Sequence, residues 1–241
     1  MTKLLRVVCG AVLCGSAAFA NTVTFTAAGT SSGGNTVDAS ATFATGAGTI
    51  NITLNNLVSN PQSIGQNISD LFFSLSNAVT SGSLVSSSGI ELKVKANRSY
   101  IVGSTVDTGW ALTSSGGSLL LELIGTHEAP RHTIIGPSSN GTYSGGIYSN
   151  ANNSIKGNGP HNPFLESGVT FSLAVPGVTA ATTVTNATFS FGTVAGNTLA
   201  ATNRTLIPEP STWILLLIGI TATFGLTLRR RKGSKRGDHA A

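Results

Sequence analysis

Cysteine is nearly absent from this 241-residue chain, and both copies, Cys9 and Cys14, lie close to its start. Once the N-terminal segment is removed, no thiol remains for a disulfide, a nucleophile or a metal ligand. Charge is scarce as well, since only 10 % of residues are Asp, Glu, Lys or Arg. The net charge of +5 belongs to the two ends. Lys3 and Arg6 open the chain, and Arg229, Arg230, Arg231, Lys232, Lys235 and Arg236 close it. Between them, Lys93, Lys95, Arg98, Arg131, Lys156 and Arg204 stand against Asp38, Asp70, Asp107, Glu91, Glu122, Glu128 and Glu166, six cations against seven acids. A near-neutral body has no electrostatic footprint for DNA or RNA, so no nucleic-acid partner is expected.

Long apolar runs occur only at the ends. Residues 7–20 follow Lys3 and Arg6, carry no charge and finish in Ala18-Phe19-Ala20. A basic start, a short apolar stretch and an A-x-A end make a secretory signal peptide of residues 1–20, with cleavage expected between Ala20 and Asn21. The Sec translocon and signal peptidase are the implied partners. Val8 and Leu13 precede the cysteines where a lipoprotein signal would place a small residue, so lipidation is set aside.

At the other end, residues 213–228 read WILLLIGITATFGLTL and run directly into Arg229, Arg230, Arg231 and Lys232. As a helix this stretch extends about 24 Å at 1.5 Å per residue, slightly less than a hydrocarbon core. Trp213 and the arginine stems can close the gap from the two interfaces. The basic cluster predicts a cytoplasmic tail over 229–241 and a body on the outside, with the precursor a single-pass protein of the inner membrane. Just before the span, Pro208, Glu209 and Pro210 form a stiff, extended entry, because each proline fixes φ and disfavours helix in its predecessor.

The order of Pro208-Glu209-Pro210, apolar span and arginine cluster resembles the PEP-CTERM sorting domain, and residues 207–236 are read as that segment. The resemblance implies that a membrane-embedded exosortase with its own cysteine active site cleaves at or near the motif. It further implies delivery of the body to the cell surface or the extracellular matrix, with no catalytic group supplied by this chain.

The body, residues 21–206, is rich in Asn, Ser, Thr and Gly and shows short alternating segments. Val23 and Phe25 alternate with threonines, and Val37, Ala39, Ala41 and Phe43, then Ile50, Ile52 and Leu54, alternate with polar residues. Ile90, Leu92 and Val94 do the same, as do Val169, Phe171, Leu173 and Val175, and later Ala187, Phe189 and Phe191. Each set places apolar side chains on one face of a pleated strand. Residues 119–124 are nearly continuous apolar and fit a strand buried on both faces, whereas residues 68–75 break strict alternation and read as a strand or a helical turn. About eight to ten strands in an antiparallel β-sandwich or jelly roll are expected. Residues 136–163 form the longest Gly- and Asn-rich segment, read as a surface excursion or a binding loop. Tyr143 and Tyr148 within it are placed either to stack on sugars or to pack beneath the loop.

Candidate chemistry is sparse. His127, Glu128, Arg131 and His132 cluster, with His161 further on, but a separation of five between the first two histidines does not fit the i, i+4 spacing of a helical zinc pair. No G-x-S-x-G elbow occurs, and the seven acids predict no glycosidase pair. The expectation is a non-enzymatic protein without cofactor or metal. Seven N-x-[ST] triplets, beginning at Asn51, Asn67, Asn97, Asn140, Asn152, Asn186 and Asn203, arise from composition. The alternative reading is a carbohydrate-binding module or polysaccharide-active enzyme with an extracellular polysaccharide partner.

Overall fold

The computed structural model describes residues 21–204. The predicted signal peptide, with Ala18 and Ala20, and the predicted span at 213–228 lie outside the described residues, as do Pro208, Glu209, Pro210 and Arg229, Arg230, Arg231 and Lys232. Among the described residues no helix is long and apolar enough to cross a membrane.

The body is all-β and antiparallel. Its strands are β1 (Asn21–Thr30), β2 (Thr36–Gly46), β3 (Thr49–Asn56), β4 (Ile68–Leu75), β5 (Ser83–Val94), β6 (Tyr100–Val106), β7 (Ala111–Ser115), β8 (Ser118–Glu122), β9 (Phe164–Leu165), β10 (Val169–Ala174), β11 (Val184–Phe191), β12 (Thr198–Ala200) and β13 (Thr202–Arg204). The larger sheet runs β13-β1-β2-β3-β10-β5-β6, with β9 also paired to β5, and the smaller runs β12-β11-β4-β8-β7. The opening meander β1-β2-β3 stays within one sheet, which fits a sandwich better than the paired Greek keys of a jelly roll.

Alternation in the sequence becomes two faces in the fold. Val23, Phe25, Ala39, Phe43, Ile52, Leu54 and Phe171 point inward from the larger sheet and meet Leu71, Phe73, Leu121, Phe189 and Phe191 from the smaller. Phe43 and Phe73 lie 5.2 Å apart between ring centroids and join the two sheets directly, and Trp110 meets Phe171 at 5.3 Å. Each fully buried phenylalanine of this kind contributes about 1.5–3 kcal/mol. The outward residues of the same strands are hydroxyls and amides: Thr24, Thr42, Thr53, Thr170 and Ser88 fall in one cross-strand row.

Residues 68–75 are strand β4, not a helical turn. Alternation fails there because β4 is the central strand of the smaller sheet, and its outward Phe72 sits in register with Leu120 of β8. That pairing also explains the continuous apolar run in β8: Leu119 and Leu121 enter the core while Leu120 covers Phe72. The β7-β8 hairpin turns through Gly116 and Gly117, whose φ values of 58° and 80° suit the two-residue turn that matches strand twist.

Candidate functional site

The Gly- and Asn-rich segment 136–163 lies against one end of the larger sheet and builds a second, smaller core. Leu92 and Val94 of β5 and Phe164 of β9 supply its floor, and Ile135, Tyr148, Ala151 and Ile155 supply its cover, with Tyr100 and Tyr143 packed at its margin. Every tyrosine of the chain is in this cluster. Tyr148 is fully buried, donates its hydroxyl to the Gly136 carbonyl at 2.9 Å, and meets the Tyr100 ring edge-on at 5.4 Å. Tyr143 donates to the Ile135 carbonyl at 2.7 Å and accepts from the Ser167 amide at 2.9 Å. Asn162 completes the frame, accepting from the Val94 amide at 2.8 Å and donating to the carbonyls of Ile155 and Asn158. Gly136 runs so close to the Val58 carbonyl that a Cβ there would collide with it.

Of the two placements open to these tyrosines, Tyr148 takes the one beneath the loop, and Tyr143 is half-buried at its margin. Tyr148 presents no ring face to solvent, and the Tyr143 hydroxyl is committed within the protein. The physical reason is that the segment's carbonyls need donors once they are covered, and phenol hydroxyls carried on apolar rings satisfy them while filling space. Burial pushes the Tyr148 hydroxyl well above the usual phenol range, helped by the neighbouring Tyr143, Tyr100 and Glu166. Burial also pushes Tyr143 up to about 12, opposed by its hydrogen bonds to Ser167. Burial raises Glu166 as well.

The histidine cluster separates into structural contacts. His132 is buried and holds a left-handed backbone at φ 59°. Its Nδ1 faces the Thr108 carbonyl at 2.9 Å and its Nε2 faces Glu91 Oε1 at 3.2 Å, while its own carbonyl accepts from Trp110 Nε1 at 3.1 Å. A carbonyl can only accept, so Nδ1 carries a proton. His127 is exposed beside Glu128, which also pairs with Arg131 at 2.8 Å, and His161 faces the Ser154 carbonyl at 2.6 Å. Among the described residues no three His, Cys, Asp or Glu side chains are grouped to hold a metal ion.

One buried acid was not singled out from sequence. Asp70 Oδ1 accepts from the Leu123 and Ile124 amides at 2.9 and 3.0 Å and so stops β8. Burial raises its carboxyl above the usual range, opposed by those two amides and by the hydroxyls of Ser190 and Ser69. The signal available was an aspartate inside the apolar run of β4, where a buried charge needs several donors.

The body closes as a compact unit at Arg204. The segment beyond Arg204 is recognisable by its sequence.

Residues 206–232 match the PEP-CTERM protein-sorting motif.

The PEP-CTERM motif contains Pro208, Glu209 and Pro210 and ends at Lys232, after Arg229, Arg230 and Arg231. It makes the chain an exported precursor that passes through the membrane on its way to the cell surface, with exosortase as its processing partner. The motif identifies the tail and leaves the body unassigned. No curated protein and no solved structure matches the chain.

Proposed function

We propose that this chain is a structural or interaction protein of the cell envelope or extracellular matrix, with its activity limited to presenting a stable β body at a location set by its ends. In this reading the Sec translocon exports it and signal peptidase cuts between Ala20 and Asn21. The apolar stretch 213–228 then holds the precursor in the inner membrane, with the body outside and residues 229–241 in the cytoplasm. Exosortase cuts at or near Pro208-Glu209-Pro210 and releases or transfers the body.

The observation that carries this reading is the motif at 206–232, which begins almost immediately after the last strand of the body. The non-enzymatic character is supported by the use of the buried polar groups. Asp70 stops a strand, Asn162 and the tyrosines frame a loop, and His132 ties Thr108 to Glu91. The test is replacement of Pro208, Glu209 and Pro210 by alanine, with the precursor followed in membrane and extracellular fractions. Unprocessed precursor is expected to accumulate in the membrane; normal release would sink the reading.

A polysaccharide-binding role has one observation in its favour. A groove of about 280 Å³ on the larger sheet is lined by Asn51, Ile52, Thr53, Ser86, Ser87, Ser88, Thr170, Phe171 and Ser172, with amides and hydroxyls predominating and no charged side chain among them. Retardation of the released protein in a gel containing a neutral polysaccharide, lost on replacing Thr53 and Thr170 by valine, would move the assignment to that reading.

A further inference from the structure

The two edges of the larger sheet are not alike. One is β13, three residues long, and the other is β6, seven residues long and paired only to β5. Short edge strands and edge charges are the usual protection against pairing with another chain. β6 reads YIVGSTV, with β-branched residues and no charge or proline. Ile101 and Val102 are 50 % and 46 % exposed although consecutive side chains point to opposite faces, so β6 projects with both faces open. With Val85 and Ile90 on β5, this edge holds four of the seven large exposed hydrophobic side chains among the described residues.

The charges flanking β6 differ in sign between its ends. At its start, Lys93 and Lys95 are exposed and without an ion pair among the described residues. At its end, Asp107 is exposed, with its carboxylate turned to Ser87 and Gly109. We infer that β6 pairs antiparallel with β6 of a second copy of this chain, extending the larger sheet across a two-fold axis. An antiparallel pair sets the lysine end of one copy beside the Asp107 end of the other, whereas a parallel pair would set like charges together. Isologous contact of this kind closes on itself and yields a dimer. The register shift against β5 falls at Gly103 and Ser104 and divides the free edge into residues 100–102 and 105–106. Antiparallel pairing places each of these arms opposite the other arm of the partner, with Ser104 close to the two-fold axis.

The experiment uses the full chain in whole cells treated with copper phenanthroline. Ser104→Cys is expected to give a disulfide-linked dimer at several-fold higher yield than Ala200→Cys on β12, because only the former brings two Cα atoms within disulfide range. Adding Val102→Lys, an exposed position that tolerates charge, is expected to reduce the yield to that of the control. Lys95→Glu, on the exposed turn, is expected to reduce it by a smaller factor. A Ser104→Cys yield no higher than the Ala200→Cys control overturns the proposal, and so does a yield that survives Val102→Lys undiminished.

Discussion

The two cores of the body solve the same problem with different materials. Between the sheets, strands pair their own backbones, so the interior is free to be apolar, with Phe43 against Phe73 at its centre. Under residues 136–163 the backbone has no ladder, and its polar groups must be matched one at a time by Tyr143, Tyr148 and Asn162. The first core is general and tolerant of which apolar residue stands where. The second is specific, because each side chain serves a particular carbonyl or amide.

The largest effect is expected in the sandwich. Phe43→Ala should lower unfolding free energy by about 3–5 kcal/mol in chemical denaturation, because it empties a site packed from both sheets. A loss near 1 kcal/mol would show that the sheets do not depend on that contact.

Alkaline pH should act on the loop core alone. As pH rises past about 10, the unfolded chain ionises its tyrosines, while Tyr143 in the folded chain keeps its proton until about 12. The unfolded state then binds fewer protons, so stability is fully present below pH 10 and falls as pH rises through 12. For Tyr143 this amounts to about 2–3 kcal/mol across the window, and Tyr148, also raised by burial, lowers stability in the same direction from about pH 10 upward. Denaturation at several pH values checks the slope, and Tyr143→Phe should make it shallower, leaving the part due to Tyr148.

Asn162→Ala should cost about 2 kcal/mol, since it leaves the Val94 amide and the Ile155 carbonyl without their partner, while the Asn158 carbonyl keeps only the backbone amide of residue 162. Its signature should be local, with faster hydrogen exchange and proteolysis within 136–163 and little change in β1, β2 and β3. Tyr148→Phe is the mildest, at about 1 kcal/mol, because the ring still fills its space and only the bond to Gly136 is lost. Uniform exchange changes across the body for either variant would erase the distinction between the cores.

This contrast also explains what could be read in advance. The sandwich strands were legible because Val23 and Phe25, or Ile50, Ile52 and Leu54, repeat at the period of a pleated strand. β4 was ambiguous because a central strand can bury residues on both faces, and Phe72 was covered by a neighbour distant in sequence. The loop core had no period to find. Nothing local in GPSSNGTYSGGIY indicates that Tyr148 reaches the Gly136 carbonyl and not solvent, and the left-handed His132 depends on contacts with Glu91 and Thr108. The tail was legible without coordinates, because two prolines, an apolar run and an arginine cluster act through their order along the chain.

The central claim is that function here lies in an address carried by the tail, with the body as cargo. Its most direct measurement is mass spectrometry of the protein recovered outside the cell, comparing the wild-type chain with one carrying alanines at Pro208, Glu209 and Pro210. Wild-type protein should begin at Asn21 and end at or near the PEP motif, while the variant should be missing from the extracellular fraction and intact in the membrane. Extracellular protein of identical mass at both termini in the two strains, apart from the substituted residues, would contradict the account.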